Sequence, residues 1–135
     1  MMTWLLNMRR LFTSTKLLGQ WGERRCEKFL RKKNLKKLTR NFSCKSGEID
    51  LIMVAPDRTI VFVEVRTRAH QGQENFIPPE ISITHTKKTK LLRTARHFLT
   101  TYKIEDRPFR FDVVTIVLDQ TGREQINHYE NAFVP

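Results

Sequence analysis

Residues 47–66 read GEIDLIMVAPDRTIVFVEVR, two apolar runs separated by Ala55-Pro56-Asp57-Arg58-Thr59. Pro, Asp and small polar residues are turn chemistry, and Val, Ile and Phe on either side favour strands, so the stretch predicts a β-hairpin of Glu48 to Val54 and Ile60 to Arg68. Its apolar density suits a sheet buried on both faces, with helices as the cover. Asp50 and Glu64 interrupt these runs, and carboxylates in such surroundings need partners. A turn centred on Asp57 sets Asp50 opposite Glu64 and Glu48 opposite Arg66. Like charges directly opposite are destabilising, so this register gathers three acids and a guanidinium on one patch that calls for a cation. Carboxylates without histidine or thiolate are hard oxygen ligands of the kind magnesium or manganese prefers, and a divalent ion there activates water beside a phosphodiester. A purely structural role has equal standing on spacing alone: the acids sit partly exposed at a sheet end and pair with Arg66, Arg68 or Lys45. A register slip of one residue would part them onto opposite faces.

Outward from the hairpin, Thr15 is read as the cap of a helix running to about Lys33, with Leu18, Gly22, Cys26, Phe29 and Leu30 on one stripe. Asn34 ends it, and Leu35 to Ser43 reads as the first strand. Residues 69–83, with Gly72, Pro78 and Pro79, read as a loop long enough to contact a substrate. A second helix follows, its core stripe being Leu91, Ala95, Phe98, Leu99 and Tyr102. Phe109 to Leu118 is a fourth strand, and Gln125 to Tyr129 a short fifth. The order is αβββαβ(β), an α/β class with a central mixed sheet flanked by helices. With 135 residues, one domain over 14–135 is expected, preceded by a flexible extension at 1–13.

The net charge of +11 is concentrated. Residues 9–45 hold 13 Lys or Arg against Glu23 and Glu27, so this segment alone carries +11 and the remainder balances. A polyanion is the natural partner, and DNA or RNA would both qualify, gripped through counterion release. Candidate phosphate contacts are Arg24, Arg25, Lys28, Arg40 and Lys45, with Arg68, Lys87 and Lys88 beyond the basic third. No apolar run approaches a membrane span, and the N-terminus lacks the pattern of a secretory signal, so a cytoplasmic protein is expected. The two cysteines, Cys26 and Cys44, read as reduced packing residues, and the four scattered histidines do not have zinc-ligand spacing.

Gly22-Glu23, Arg40-Asn41, Gly47-Glu48-Ile49-Asp50-Leu51-Ile52, Val61-Phe62-Val63-Glu64-Val65-Arg66 and Arg110-Phe111-Asp112-Val113-Val114 together resemble the YraN-like family of small bacterial proteins. That family is similar to the PD-(D/E)xK nuclease superfamily and, within it, to archaeal Holliday-junction resolvases. The resemblance implies a restriction-endonuclease-like αβββαβ core and a metal-dependent endonuclease selective for branched or junction DNA, working as a homodimer. It aligns Asp50 with the first metal-binding acid, Glu64 with the acid of the ExK half-motif, and Glu23 with an acid on the first helix. Glu48 is a lesser candidate ligand and is better read as an ion-pair partner of Arg66. Arg66 falls where the superfamily has lysine. A guanidinium stabilises developing negative charge but does not act as a base, which keeps a non-catalytic nucleic-acid-binding module open as the second reading. Lys45, Lys87 or Lys88 would replace the ammonium if the fold brings one near. Asp112 reads as a structural salt bridge or strand-end cap.

Overall fold

The computed structural model describes residues 14–69 and 83–133; the expectations for residues 1–13 and for most of the 69–83 loop lie outside them. Helix α1 (Thr15–Lys32) leads to strands β1 (Lys36–Cys44), β2 (Gly47–Val54) and β3 (Ile60–Ala69). Helix α2 (His85–Thr101) then precedes β4 (Phe109–Leu118) and β5 (Glu124–Tyr129). The five strands form one mixed sheet in the order β1-β2-β3-β4-β5, antiparallel except for the parallel β3–β4 pair. This is the expected α/β architecture, consistent with a restriction-endonuclease-like core. Among the described residues no helix is long and apolar enough to cross a membrane.

The sheet separates two apolar layers. Cys26 and Leu30 of α1 pack on Leu51, Met53, Val61, Val63, Val114 and Ile116. On the other face, Leu91, Ala95 and Phe98 of α2 pack on Ile49, Ile52, Ile60, Phe62, Phe111 and Val113. Residues of both faces of β2 and β3 are less than 3% exposed, so each large side chain contributes roughly 1.5–3 kcal/mol. Over Leu51–Val54 the β2–β3 register is the one read from the turn, with Leu51 facing Val63 and Val54 facing Ile60, but the pairing ends before the expected Asp50–Glu64 and Glu48–Arg66 pairs. The turn is fixed by Arg58 N–H donating to the Ala55 carbonyl and Thr59 N–H donating to Asp57 Oδ1, at 2.9 and 3.1 Å.

Two local expectations are corrected. The cap of α1 is Ser14, whose hydroxyl accepts from Leu17 N–H at 3.2 Å, while Thr15 is the first helical residue. Both residues carry a capping hydroxyl, and only the extended backbone of Ser14 separates them. Tyr102 is 59% exposed rather than core, because it is the C-cap of α2 and the chain turns away there. Asn34 does end α1, in the left-handed conformation at φ 69°.

Candidate functional site

The site begins with a fault in the β1–β2 ladder. Arg40 pairs with Leu51 and Phe42 with Ile49, leaving Asn41 and Asp50 between these pairs. In a regular strand Arg40 and Phe42 share a face, as do Ile49 and Leu51. Here Arg40 bonds Glu27 of α1, whereas Phe42 meets Phe98 of α2 edge-on at 5.2 Å. Leu51 belongs to the α1 layer and Ile49 to the α2 layer. Both strands therefore change face at the same step. The backbone cause is Asn41, held at φ 49°, a left-handed conformation that asparagine tolerates better than most side chains.

This switch decides where Asp50 goes. The β2–β3 pairing stops at Leu51–Val63, and the next free donor of β3, the N–H of Val65, donates to Asp50 Oδ2 at 2.8 Å. The carboxylate thus stands where a ladder carbonyl would otherwise be. Glu64, one residue earlier on β3, projects on the α2 side, where Lys87 Nζ lies 2.7 Å from its Oε1. Lys87 is held in the first turn of α2 by Thr84, whose hydroxyl accepts the Lys87 N–H. Asp50, Glu64, Glu48, Gly47, Lys87 and Lys90 line one cleft of about 230 Å³.

The acids interact electrostatically. Burial, followed by the charges of Glu64, Glu23 and Glu48, pushes the Asp50 carboxyl up to about 7 despite the Val65 N–H. Glu23 is also raised, by burial and then by Glu48. Glu23 reaches this region because α1 crosses β3 closely at Gly22: a Cβ there would collide with Thr67 Oγ1 and lie 2.8 Å from Thr67 Cβ. Burial is the larger cause for both acids and mutual repulsion the smaller, so a cation placed beside them would favour their ionised forms.

Among the described residues no group of three or more His, Cys, Asp or Glu side chains is placed to hold a metal ion. The donor chemistry fits magnesium or manganese nonetheless. Such ions are commonly held by one or two carboxylates, with water and substrate phosphate completing the shell. Asp50 and Glu64 are the residues that would hold one.

The other sequence candidates are dispersed. Arg66 lies on β3 opposite Thr115 of β4. Arg24 and Lys28 are exposed on α1, Lys45 on the β1–β2 turn, and Arg68 near the end of β3. Arg25 is committed to Glu124 of β5, its Nε donating at 2.6 Å, and Lys88 sits 5.6 Å over the Phe133 ring. Of the three lysines considered as a replacement ammonium, Lys87 is the one on an acid. Sequence reasoning missed Asn41 as an organiser. Its signal was an asparagine, poor in strand propensity, inside a strand opposite the first acid. Asp112 is structural as read: fully buried, it accepts from Arg110 Nε (3.0 Å) and Asn131 N–H (3.0 Å) and lies 2.8 Å from His128 Nε2.

Residues 22–116 match the family described as Uncharacterised protein family UPF0102. A UPF0102 protein of Pelobacter propionicus is 38% identical over 85% of this chain and 81% of its own length. One from Pelotomaculum thermopropionicum is 40% identical over 87% and 96%, and one from Nitrosomonas eutropha 43% over 90% and 97%. The chain belongs to the UPF0102 family, the YraN-like family that its motifs resemble.

Proposed function

We propose that this UPF0102 protein is a metal-dependent, structure-selective endonuclease acting on DNA phosphodiesters, with branched or junction DNA as the preferred substrate. The observation that carries this reading is the convergence of Asp50, Glu64 and Lys87 on one cleft, with the Asp50 carboxyl raised to about 7 by burial and neighbouring acids. A magnesium or manganese ion on Asp50 and Glu64 would lower the pKa of a bound water and offset charge on the phosphate oxygens. In this scheme Asp50 is oriented by the Val65 N–H and Glu64 by Lys87. Lys87 supplies the ammonium that Arg66 cannot, a flexible cation beside Glu64 that would stabilise negative charge on a phosphate oxygen bound in the cleft. Arg66 lends fixed positive charge on the same strand, and Glu23 adds negative charge from α1 that favours cation uptake. Arg24, Lys28, Arg40, Lys45 and Arg68 provide exposed cations for backbone phosphates, with DNA favoured over RNA as partner and a homodimer suited to the two scissile strands of a junction.

The test is cleavage of labelled four-way junction, flap and linear DNA with magnesium or manganese. Loss of cleavage in Asp50→Asn and Glu64→Gln, each still folded, would support the assignment, and undiminished cleavage in Asp50→Asn would sink it. A second reading, a non-catalytic nucleic-acid-binding module, is favoured by Arg66 at the usual lysine position. It expects DNA affinity that persists in excess chelator, falls steeply with salt and changes little in Asp50→Asn.

A further inference from the structure

A second groove, of about 510 Å³, lies between α1 and β1, away from the acids, and Glu27, Arg31, Lys36, Lys37 and Arg40 line it. It is built by two deviations from regular strand geometry. Lys37 and Arg40, three residues apart, would point to opposite faces of a regular strand. A register shift between Lys37 and Thr39 instead pairs Lys37 with Met53 and Arg40 with Leu51, two residues of the α1 layer, so both cations share the α1 face. The left-handed Asn41 then turns Phe42 to the other face and ends the cationic row at Arg40.

At the floor is Glu27, whose side chain is 9% exposed. It accepts from Arg40 Nε and Nη2 at 2.6 and 3.1 Å, and Arg31 Nη1 lies 3.9 Å away. This bidentate pair uses two of the five guanidinium donors and fixes the plane of the group while leaving it half exposed. Arg40, first among the causes, then Lys37 and Arg31 hold the Glu27 carboxyl below its ordinary range, so it stays ionised at neutral pH. Guarding the β1 edge against stray strand pairing would account for lysines there. It would not account for a buried acid that pre-orients one guanidinium, or for a bulge that brings Lys37 beside it.

Resting on the nuclease-like reading above, we infer that the α1–β1 groove is a second nucleic-acid contact that holds backbone phosphates of an arm flanking the scissile position, through Arg31, Lys37 and Arg40. Lys37 lies three residues along the strands from Asp50, about 10 Å at ~3.3 Å each, but on the α1 face of the sheet whereas the cleft opens against α2, so an arm reaches the groove by passing round the edge strand β1. Cleft and groove thus engage different phosphates of one substrate, and a substrate that leaves the cleft with an intact arm on this side is held more tightly than a short strand.

The experiment is fluorescence anisotropy with a labelled four-way junction in excess chelator, so that no cleavage occurs, across a series of monovalent salt concentrations. The proteins are the wild type, Arg31→Gln with Lys37→Gln, and the charge-keeping Arg31→Lys with Lys37→Arg, all checked by thermal melting. Each lost phosphate contact removes about 0.9 from the salt slope, or roughly 8-fold in affinity at 0.1 M. The neutral double variant is therefore expected to bind roughly 60-fold more weakly with a slope shallower by about 1.8, and the charge-keeping variant to bind as wild type. Unchanged affinity and slope in a folded neutral variant would overturn the groove and leave the cleft assignment standing. Groove-dependent binding together with undiminished cleavage in Asp50→Asn would do the reverse.

Discussion

Replacing Asp50 by asparagine should stabilise the protein above neutral pH. The Asp50 carboxyl stands at about 7 in the fold against 3.8 in its ordinary state, because burial and then Glu64, Glu23 and Glu48 oppose its charge. Between about pH 4 and 7 the unfolded chain has released a proton that the folded chain keeps. This group's contribution is fully present below pH 4, declines as pH rises, and is lost above 7. At 1.36 kcal/mol per unit, about three units amount to roughly 4 kcal/mol as an upper figure. Asparagine carries no charge to desolvate and retains an oxygen for the Val65 N–H. Urea unfolding from pH 4.5 to 8.5 should show the variant and wild type close together at the acid end. The variant should gain up to about 1.4 kcal/mol per pH unit and level off at roughly 2–4 kcal/mol above pH 7. Taking the difference between the two proteins removes the pH dependence of Glu27 and Asp112, both lowered acids that act alike in each. A difference independent of pH, or an asparagine variant less stable at pH 8, would refute the claim that burial, with the neighbouring acids, raises the Asp50 carboxyl.

Gly22→Ala should cost about 1–3 kcal/mol, since its Cβ collides with Thr67, and combining it with Thr67→Gly should recover most of that loss in chemical denaturation. Asn41→Val should cost about 1–3 kcal/mol while Asn41→Gly is nearly neutral, because φ 49° suits glycine and not a β-branched residue; similar stabilities for the two would remove Asn41 as the cause of the face switch. Asp112→Ala should lose about 3–5 kcal/mol by leaving Arg110 without its buried partner. Calorimetric unfolding that moves by less than 1 kcal/mol would show the network to be dispensable.

Much of the architecture was legible because local chemistry and global pairing agree. The 55–59 turn fixes its own centre, and the β2–β3 register follows from it. The helical stripe of α1 was visible as a 3.6-residue period, and Phe109–Leu118 as a stretch rich in Phe, Val and Ile despite Arg110 and Asp112. The site was legible only in part. Asp50 and Glu64 stood out as acids in apolar runs, but a period-two reading assumes that each strand keeps its faces. Asn41 breaks that assumption, so Ile49 joins the α2 layer and Glu48 comes within electrostatic reach of Glu23. Lys87 is 23 positions from Glu64, and which of three lysines would meet the acid depended on how α2 packs. Likewise Arg25 looked like any other cation of the basic third, and only the sheet order reveals Glu124 beside it.

The central claim, that Asp50 and Glu64 form a cation-requiring pair, is tested most directly by isothermal titration of magnesium and manganese into the wild type and into Asp50→Asn with Glu64→Gln at pH 8. The wild type should bind one divalent ion, the double variant should not, and repeating the wild-type titration at pH 6 should weaken binding several-fold as Asp50 takes up a proton. Equal binding by both proteins, or no binding by the wild type at millimolar metal, would contradict it.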